Sequence, residues 1–234
     1  MTEKKPFIYN LFERPISGAA IEAASFRIID AEAPPHTFSP DEWQVVRRMI
    51  HTTGDFSIMA AIRFSPDAVS AALKALRDGR SLYVDANMIR AGLSVERLQS
   101  VNGDYHRDRI VSHIADPDVA DEARVSGLPR SLFAIRKARP MLDGSIAVFG
   151  NAPVALLELN RLILEENICP ALVVAMPVGF VHVMESKEEL LSLGVPCITL
   201  TGRRGGSPLA VSVIHALCSL AAAPEGGSEK AEGR

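Results

Sequence analysis

Apolar residues in the last third of this chain recur in a pattern that repeats three times. Residues 145–149, 171–175 and 197–201 are short, β-prone apolar runs, and each stops at a turn rich in glycine or proline before a helical pattern follows. Such a run predicts a buried strand, and a strand that ends in a turn of this kind before a helix is the usual unit of an open α/β sheet. The third unit is predicted to end in a helix over residues 208–223.

The first two thirds of the chain show a similar alternation of predicted helices and strands. Residues 1–14 look like an arm, and apolar residues at helical spacing predict a helix over residues 15–30. Ser39, followed by Pro40 and two acids, has the pattern of a helix N-cap, and Gly54 is placed to end that helix. The other predicted elements are strands at residues 56–64, 81–84 and 109–115, helices ending near residues 78 and 92, a helical turn at 94–98, and a helix through residue 137 that follows a polar stretch.

This order of elements predicts an α/β fold for residues 1–223. We expect a single domain in which a mainly parallel sheet carries helices on both faces, a Rossmann-like arrangement of three layers, preceded by a helical N-terminal segment. Residues 224–234 are rich in Gly and Glu and are predicted to form a disordered tail. A chain of 234 residues with 47% hydrophobic residues is long enough for one such domain with a substantial core.

Composition narrows the classes of partner. The formal net charge of −3 argues against nucleic acid or an acidic membrane surface as the main partner. The most apolar stretch, residues 168–184, is interrupted by two prolines, a glycine and a histidine, and the N-terminus lacks the apolar segment of a secretory signal. Three widely separated cysteines suit free thiols in a reducing compartment. We therefore expect a cytoplasmic protein that binds neither nucleic acid nor membrane.

The most specific signal for binding chemistry is the turn at residues 202–207. Its sequence, Gly-Arg-Arg-Gly-Gly-Ser, places bare backbone amides and two guanidinium groups between a strand and a helix, a combination suited to an anion. The turn lacks the lysine of a Walker A loop and the full G-x-G-x-x-G pattern, so a standard nucleotide fold is rejected. A glycine-rich turn that serves only tight packing is the alternative, and the residues alone leave both interpretations open.

Other segments that follow predicted strands have two interpretations each. Residues 176–181 are a stiff apolar loop, either the wall of a pocket for a large flat ligand or a plain turn, and the plain turn is favoured. Asp85 and Asn87 either belong to a functional site or cap the helix that follows, with equal support. Glu185 and Lys187 begin another helix, where solvated charge is the simplest interpretation.

Six histidines are the candidate acid–base groups. None forms a helical HExxH pair or a cluster with cysteine, so no metal site is expected. His51 is the best acid–base candidate because it lies near a predicted helix C-terminus, which favours an imidazolium. The residues alone therefore predict an α/β domain with a pocket for a large anion, and they do not identify a reaction.

Taken in order, the motifs of this chain resemble those of the precorrin-8X methylmutase family, isomerases of the cobalamin pathway that make hydrogenobyrinic or cobyrinic acid. The resemblance covers residues 15–220. Each motif is weak alone, and the ordered set is specific. The motifs are Ser25-Phe26, Ile50-His51, Asp85-Ala86-Asn87-Met88 with Ala91-Gly92, Pro129-Arg130-Ser131, Gly150-Asn151-Ala152-Pro153, Pro177-Val178-Gly179-Phe180-Val181, Glu185-Ser186-Lys187 and the 202–207 turn.

The resemblance implies a homodimeric enzyme without a cofactor that moves a methyl group from C-11 to C-12 of a corrinoid macrocycle. In the family this is a [1,5]-sigmatropic shift assisted by a protonated histidine, which matches His51. Protonation of a ring nitrogen draws electron density from the conjugated system and lowers the barrier to migration, and a positioned acid typically contributes about 10²–10⁴-fold. Histidine suits this role because it titrates near neutral pH.

The resemblance also implies which residues bind the corrinoid, whose many carboxylates are expected to pair with arginines. At Pro129 and Val154 the family often has threonine, so two hydroxyl groups that could bind substrate are missing from this chain. The expected substrate-binding residues are Ser25, Asp85, Ser94, Arg130, Asn151, Gly179, Phe180, Lys187, Arg203, Arg204, Gly205 and Ser207.

Two other functions stay open at the level of sequence. The first is a corrinoid-binding or carrier protein that holds the acid product without catalysing its formation. The second, less favoured, is an enzyme that acts on a phosphorylated metabolite through the 202–207 turn. No motif distinguishes metal-free precorrin-8X from its cobalt complex as the substrate.

Overall fold

The computed structural model describes residues 6–223, so the predicted tail at 224–234 lies outside the described residues. The chain divides into an N-terminal unit, Met1–Thr37, and a main unit, Phe38–Arg234. The main unit carries the whole sheet.

The N-terminal unit is helical, as the apolar spacing of residues 15–30 predicts. It contains helix α1 (Tyr9–Glu13) and helix α2 (Gly18–Glu32). The Ser17 hydroxyl caps α2 by accepting the Ala20 N–H at 3.2 Å, which satisfies one of the backbone donors that every helix leaves open at its start. Helix α1 lies within the stretch that the sequence indicated only as an arm.

The main unit is built on one six-stranded sheet with the strand order β1-β6-β5-β4-β2-β3. All neighbouring strands are parallel except β1 and β6, which are antiparallel. The inner strands β2, β4, β5 and β6 are buried along their whole length, as expected for parallel strands covered on both faces. The strands are β1 (Ile62–Phe64), β2 (Leu82–Val84), β3 (Ile110–Val111), β4 (Ile146–Phe149), β5 (Leu172–Ala175) and β6 (Cys197–Leu200).

Helices cover both faces of this sheet, which confirms the predicted three-layer α/β fold. The main helices are α3 (Pro40–Thr53), α4 (Ala68–Arg77), α5 (Asn87–Gly92), α6 (Val95–Gln99), α7 (Pro117–Ser126), α8 (Arg130–Leu142), α9 (Pro153–Glu166), α10 (Val183–Ser192) and α11 (Ser207–Ala222). Helices α8, α9 and α10 pack on one face through a buried cluster that includes Tyr83, Phe149 and Leu159. Helices α4 and α11 pack on the other face, with α3 against α11.

Helix α3 forms for the reasons that its sequence suggests. The Ser39 hydroxyl accepts the Glu42 N–H at 3.3 Å, and the Glu42 carboxylate accepts the Ser39 N–H at 2.8 Å, which completes a capping box. Gly54 ends the helix in the left-handed conformation, with φ 63°, and donates its N–H to the carbonyl of Ile50 at 2.7 Å.

The structure differs from the predicted elements in four places. Residues 56–64 are a strand only at their end, because the Asp55 carboxylate accepts the Ser57 N–H at 2.7 Å and starts a short 3₁₀ helix, Phe56–Ala60. The predicted strand at 109–115 is reduced to the two residues of β3. The polar stretch before Gly127 contains helix α7, which Pro117 opens and Gly127 closes. Helix α8 also runs beyond residue 137, because Ala138 and Leu142 are buried in the cluster under the sheet.

Candidate active site

Four loops meet at the carboxyl edge of the sheet, because parallel strands end on the same side. They are the 85–86 loop after β2, the 150–152 loop after β4, the 176–182 loop after β5 and the 202–206 loop after β6. In open α/β sheets this edge is where ligands bind. The three strand–turn–helix units of the sequence therefore deliver their turns to one place.

The antiparallel strand β1 brings a fifth segment to the same edge. Ile62, at the start of β1, pairs with Leu200 at the end of β6, so the chain that precedes β1 lies beside the 202–206 loop. Arg204 in that loop forms an ion pair with Asp55 and donates to the Ser57 hydroxyl at 2.8 Å. The end of helix α3 is thereby tied to the end of β6.

His51 lies in the last turn of α3, shortly before this tie. Its side chain is exposed, whereas Val46, Met49 and Ile50 on the other face of α3 are buried. A packed helix therefore holds the backbone of His51, and this exposed residue lies four positions before Asp55, which pairs with Arg204 of the 202–206 loop. This placement is what an acid–base group needs, namely a fixed backbone and access to a ligand.

Asp85 is buried, with 1% of its surface exposed, and its carboxylate binds the backbone of the 150–152 loop. One oxygen accepts the N–H of Gly150 at 3.0 Å, and the other accepts the N–H groups of Asn151 and Ala152 at 2.9 and 2.6 Å. Burial raises the pKa of the carboxyl group, and the three amide hydrogen bonds oppose that rise. The side chain makes no capping bond to α5. In this structure Asp85 positions a loop.

Lys187 is fully buried and binds the backbone of the 202–206 loop. Its ammonium group donates to the carbonyl oxygens of Gly202 at 3.0 Å and Arg204 at 2.8 Å. Burial lowers the pKa of this ammonium group to about 8. The sequence suggested a solvated charge, and that interpretation is wrong because the residue's position on α10 faces the interior.

Glycine permits the 176–182 and 202–206 loops to pack against each other. A Cβ atom on Gly205 would lie 2.6 Å from the carbonyl oxygen of Pro177, closer than real contacts allow. Next to it, the Gly206 N–H donates to the Met176 carbonyl at 2.7 Å, and the Gly179 N–H donates to the Arg203 carbonyl at 3.2 Å. The two loops form one backbone-bonded surface.

The 150–152 loop joins this surface at the start of helix α11. A Cβ atom on Gly150 would lie 2.8 Å from Cα of Ser207, so the two backbones touch. Ser207 is buried at this contact, while Asn151 is exposed beside it. The close packing explains why the sequence has glycine directly after β4.

The exposed part of the 176–182 loop is apolar. Phe180 is 82% exposed, and Val178 and Val181 beside it are also exposed. The guanidinium group of Arg203 lies 5.3 Å from the centre of the Phe180 ring, within range of a cation–π contact. An exposed apolar surface with a cation at its side is a combination that suits a large flat anion.

Comparison with known proteins identifies the family of this chain. A family model described as precorrin-8X methylmutase matches residues 20–220. The chain belongs to the precorrin-8X methylmutase family. It is therefore an isomerase, of the intramolecular transferase type, in cobalamin biosynthesis, and the resemblance found in the sequence is confirmed.

Relatives in the methylmutase family cover most of the chain. A cobalt-precorrin-8 methylmutase of Priestia megaterium is 42% identical over 86% of this chain and 87% of its own length. A precorrin-8X methylmutase of Pseudomonas aeruginosa is 37% identical over 86% of this chain and 95% of its own length. The crystal structure of a precorrin-8X methylmutase from Thermus thermophilus has a TM-score of 0.79 and 48% identity, covering 88% of this chain and 97% of that one.

Three further residues that the sequence predicts for the site lie on helices. Arg130 is exposed at the first position of α8, and because α8 leads into the start of β4, this end of the helix lies toward the carboxyl edge. Ser94 caps α6, and its N–H donates to Nε2 of His215 at 3.1 Å, so it lies beside the middle of α11. Ser25 lies on α2 in the N-terminal unit.

Two residues that hold this edge of the sheet together were missed by sequence reasoning. Asp55 and Ser57 hold Arg204 and so connect α3 to the 202–206 loop. Their signal was an Asp two residues before Ser, a common start of a helical turn, which the strand predicted over residues 56–64 concealed. In the described residues 6–223, no cluster of three or more His, Cys, Asp or Glu is arranged to hold a metal ion, and no helix there has the length and apolar character to cross a membrane.

Proposed function

We propose that this methylmutase moves a methyl group from C-11 to C-12 of precorrin-8X or cobalt-precorrin-8, with His51 as the general acid. The observation that carries the proposal is the tie from Arg204 to Asp55 and Ser57, which sets the end of His51's helix beside the strand-end loops. A ligand bound on those loops then lies at the edge where the exposed imidazole stands.

The reaction needs only a proton from the protein. The imidazolium of His51 donates a proton to a ring nitrogen, the bond from the methyl carbon to C-11 breaks, and a bond to C-12 forms. The proton then returns to the imidazole, so the product is an isomer of the substrate and no atom is gained or lost. Positioned acid catalysis of this kind contributes about 10²–10⁴-fold to the rate.

The loops would hold the corrinoid by two kinds of contact. The exposed apolar face of Phe180, Val178 and Val181 suits the flat macrocycle, and Arg203 beside it suits a carboxylate on the rim. Arg130, exposed at the start of α8, is placed to reach a second carboxylate. Arg204 already binds Asp55 and Ser57, so we assign it first to holding the site together.

Turnover by a His51→Ala variant tests the proposal against a corrinoid carrier. The purified protein is incubated anaerobically with metal-free precorrin-8X and, separately, with its cobalt complex, and the visible spectrum follows the change in conjugation. We expect His51→Ala to lower kcat at least about 10²-fold with the affinity for corrinoid retained. His106→Ala is the matched control, because this exposed histidine precedes β3 at the opposite edge of the sheet.

Three outcomes separate the hypotheses. A wild-type rate in His51→Ala shows that another group is the acid. Tight product binding without conversion of either substrate supports the carrier. Conversion of only one substrate decides between the metal-free and cobalt forms. The expected homodimer, the independence from cofactors and the cytoplasmic location stay predictions.

A further inference from the structure

Lys187 is a buried charge that the proposed reaction does not use. The side chain has no exposed surface, so its ammonium group cannot touch a ligand on the outer side of the 202–206 loop. The ammonium group donates to the carbonyl oxygens of Gly202 and Arg204, at 3.0 and 2.8 Å. A buried ammonium group is costly unless its hydrogen bonds do something that an apolar side chain cannot do.

The two contacts of Lys187 also fix the direction of two N–H groups on the opposite side of the loop. In a planar trans peptide the C=O and the following N–H point in opposite directions. Because the carbonyls of Gly202 and Arg204 point at Lys187, the N–H groups of Arg203 and Gly205 point away from it. The carbonyl of Arg203, which lies between these two N–H groups, accepts the Gly179 N–H at 3.2 Å. The middle peptide of the segment is therefore held as well.

The two N–H groups that point away from Lys187 lie where an anion is expected. Arg203 is exposed, and its guanidinium group stands beside Phe180. Neither the Arg203 N–H nor the Gly205 N–H donates to another residue in the described range 6–223. Backbone N–H groups that face the same side of a loop form a site that suits a carboxylate.

We propose that Lys187 is a positioning residue that holds the 202–206 backbone so that the N–H groups of Arg203 and Gly205 bind a carboxylate of the corrinoid. The inference rests on the proposed function, since it takes the corrinoid as the ligand of these loops. Without the ammonium group the two carbonyls lose their donors, and the peptides that carry them are free to rotate. Lys187 thereby sets a preference for a carboxylate over an uncharged amide at this position.

The test compares two ligands on matched variants. The ligands are hydrogenobyrinic acid and the derivative in which every carboxylic acid is a primary amide, and each is titrated by visible absorption. The variants are Lys187→Met, which keeps the length and removes the donors, and Lys187→Gln, which keeps two N–H donors on a shorter chain. Lys74→Met is the control, because Lys74 is exposed on α4 and pairs with Asp78 of the same segment.

We expect a selective loss. Wild type and Lys74→Met bind the acid about tenfold or more tightly than the amide, as a charge-assisted contact implies. Lys187→Met weakens acid binding by about tenfold and leaves amide binding within about twofold. The affinity of Lys187→Gln for the acid lies between those of wild type and Lys187→Met. In turnover, Lys187→Met raises KM more than it lowers kcat, the reverse of the result expected for His51→Ala.

Other results overturn the inference. Equal weakening of both ligands means that Lys187 only stabilises the fold, and unchanged acid binding means that it does not orient the loop. If Lys187→Met does not fold, the same comparison is made with Lys187→Gln, and an unchanged preference for the acid contradicts the proposal. Wild-type protein that binds the acid and the amide equally refutes this inference alone, whereas failure to bind either ligand refutes the proposed function.

Discussion

At the scale of single residues, two buried charged side chains at this edge of the sheet hold the backbone of neighbouring loops. Asp85 and Lys187 carry opposite charges, and each lies beneath a different strand-end loop. The carboxylate gathers N–H groups of the 150–152 loop, and the ammonium group gathers carbonyls of the 202–206 loop. Because buried backbone groups without partners are costly, removal of either charge is expected to disturb a loop that lies on the ligand side.

Substitution of Asp85 tests this at the level of one residue. Asp85→Ala leaves three N–H groups without an acceptor, and we expect the free energy of unfolding to fall by about 3–5 kcal/mol. Asp85→Asn keeps one acceptor oxygen and should lose less. Urea denaturation measures both, with the exposed Asp121 changed to Ala as the control. A loss below about 0.5 kcal/mol for Asp85→Ala would exclude the role of Asp85 in holding the loop.

At the scale of secondary-structure elements, two close contacts hold the proposed site together. The 176–182 and 202–206 loops pack backbone to backbone, which only glycine at position 205 allows. The end of α3 is joined to the same surface by the ion pair of Asp55 with Arg204. Each association connects segments that are far apart in the chain, so each is expected to affect ligand binding and catalysis more than local secondary structure.

Gly205→Ala tests the packing of the two loops. The added methyl group meets the carbonyl of Pro177, so one loop must move, and we expect a loss of about 1–3 kcal/mol in the free energy of unfolding. Affinity for the corrinoid should fall as well. Gly103→Ala is the control because its new Cβ would meet nothing within 4 Å. Equal behaviour of the two variants in both measurements would contradict the close approach.

The tie between α3 and the 202–206 loop is tested by a double-mutant cycle. Asp55→Asn and Arg204→Gln should each change the free energy of unfolding by less than about 1 kcal/mol, because both side chains are partly exposed. We expect each to lower kcat by about tenfold, since His51 is then less well placed. The double variant should be no slower than either single variant. An added rise in KM for Arg204→Gln alone would assign Arg204 a direct contact with substrate.

At the scale of the whole molecule, the loops that we propose to bind the corrinoid are separate from an ionic network that joins two helices. The carboxyl edge carries the loops, while an ionic network joins α8 and α9 around Glu158, which is buried between Arg136 and Arg161. Burial raises the pKa of Glu158, but hydrogen bonds from Arg161 and Arg136 outweigh that effect and place the pKa below its usual value. This network should therefore affect stability without affecting turnover.

The pH dependence of stability tests the network. Because the pKa of Glu158 is lower in the folded chain, its contribution is present above the ordinary value of 4.5 and is lost as the pH falls through the folded value. Glu158→Gln should lower the free energy of unfolding by about 1–2 kcal/mol at pH 7, and the difference from wild type should shrink toward pH 3. The exposed Glu122 changed to Gln is the control. A difference that stays constant with pH, or a changed kcat, would contradict the assignment.

Several features could be predicted because their causes are local. Helix α3 has its cap, its first-turn proline and its closing glycine within one short segment. Apolar runs that end at glycine or proline predicted strands β4, β5 and β6. Helix α7 was missed because its polar surface gives little periodic signal, and only Pro117 and Gly127 marked its ends.

The sequence by itself determined the α/β fold, the family and the turns that gather at the carboxyl edge of the sheet, since all three follow from patterns that span a few residues or from the order of motifs. Only the tertiary structure decided that β1 runs antiparallel, which sets the end of His51's helix beside β6. It also decided that Asp85 and Lys187 face inward, toward loops far away in the chain. Burial and long-range partners depend on how the elements pack, and a charged residue type is the same in the sequence whether it meets water or a buried backbone.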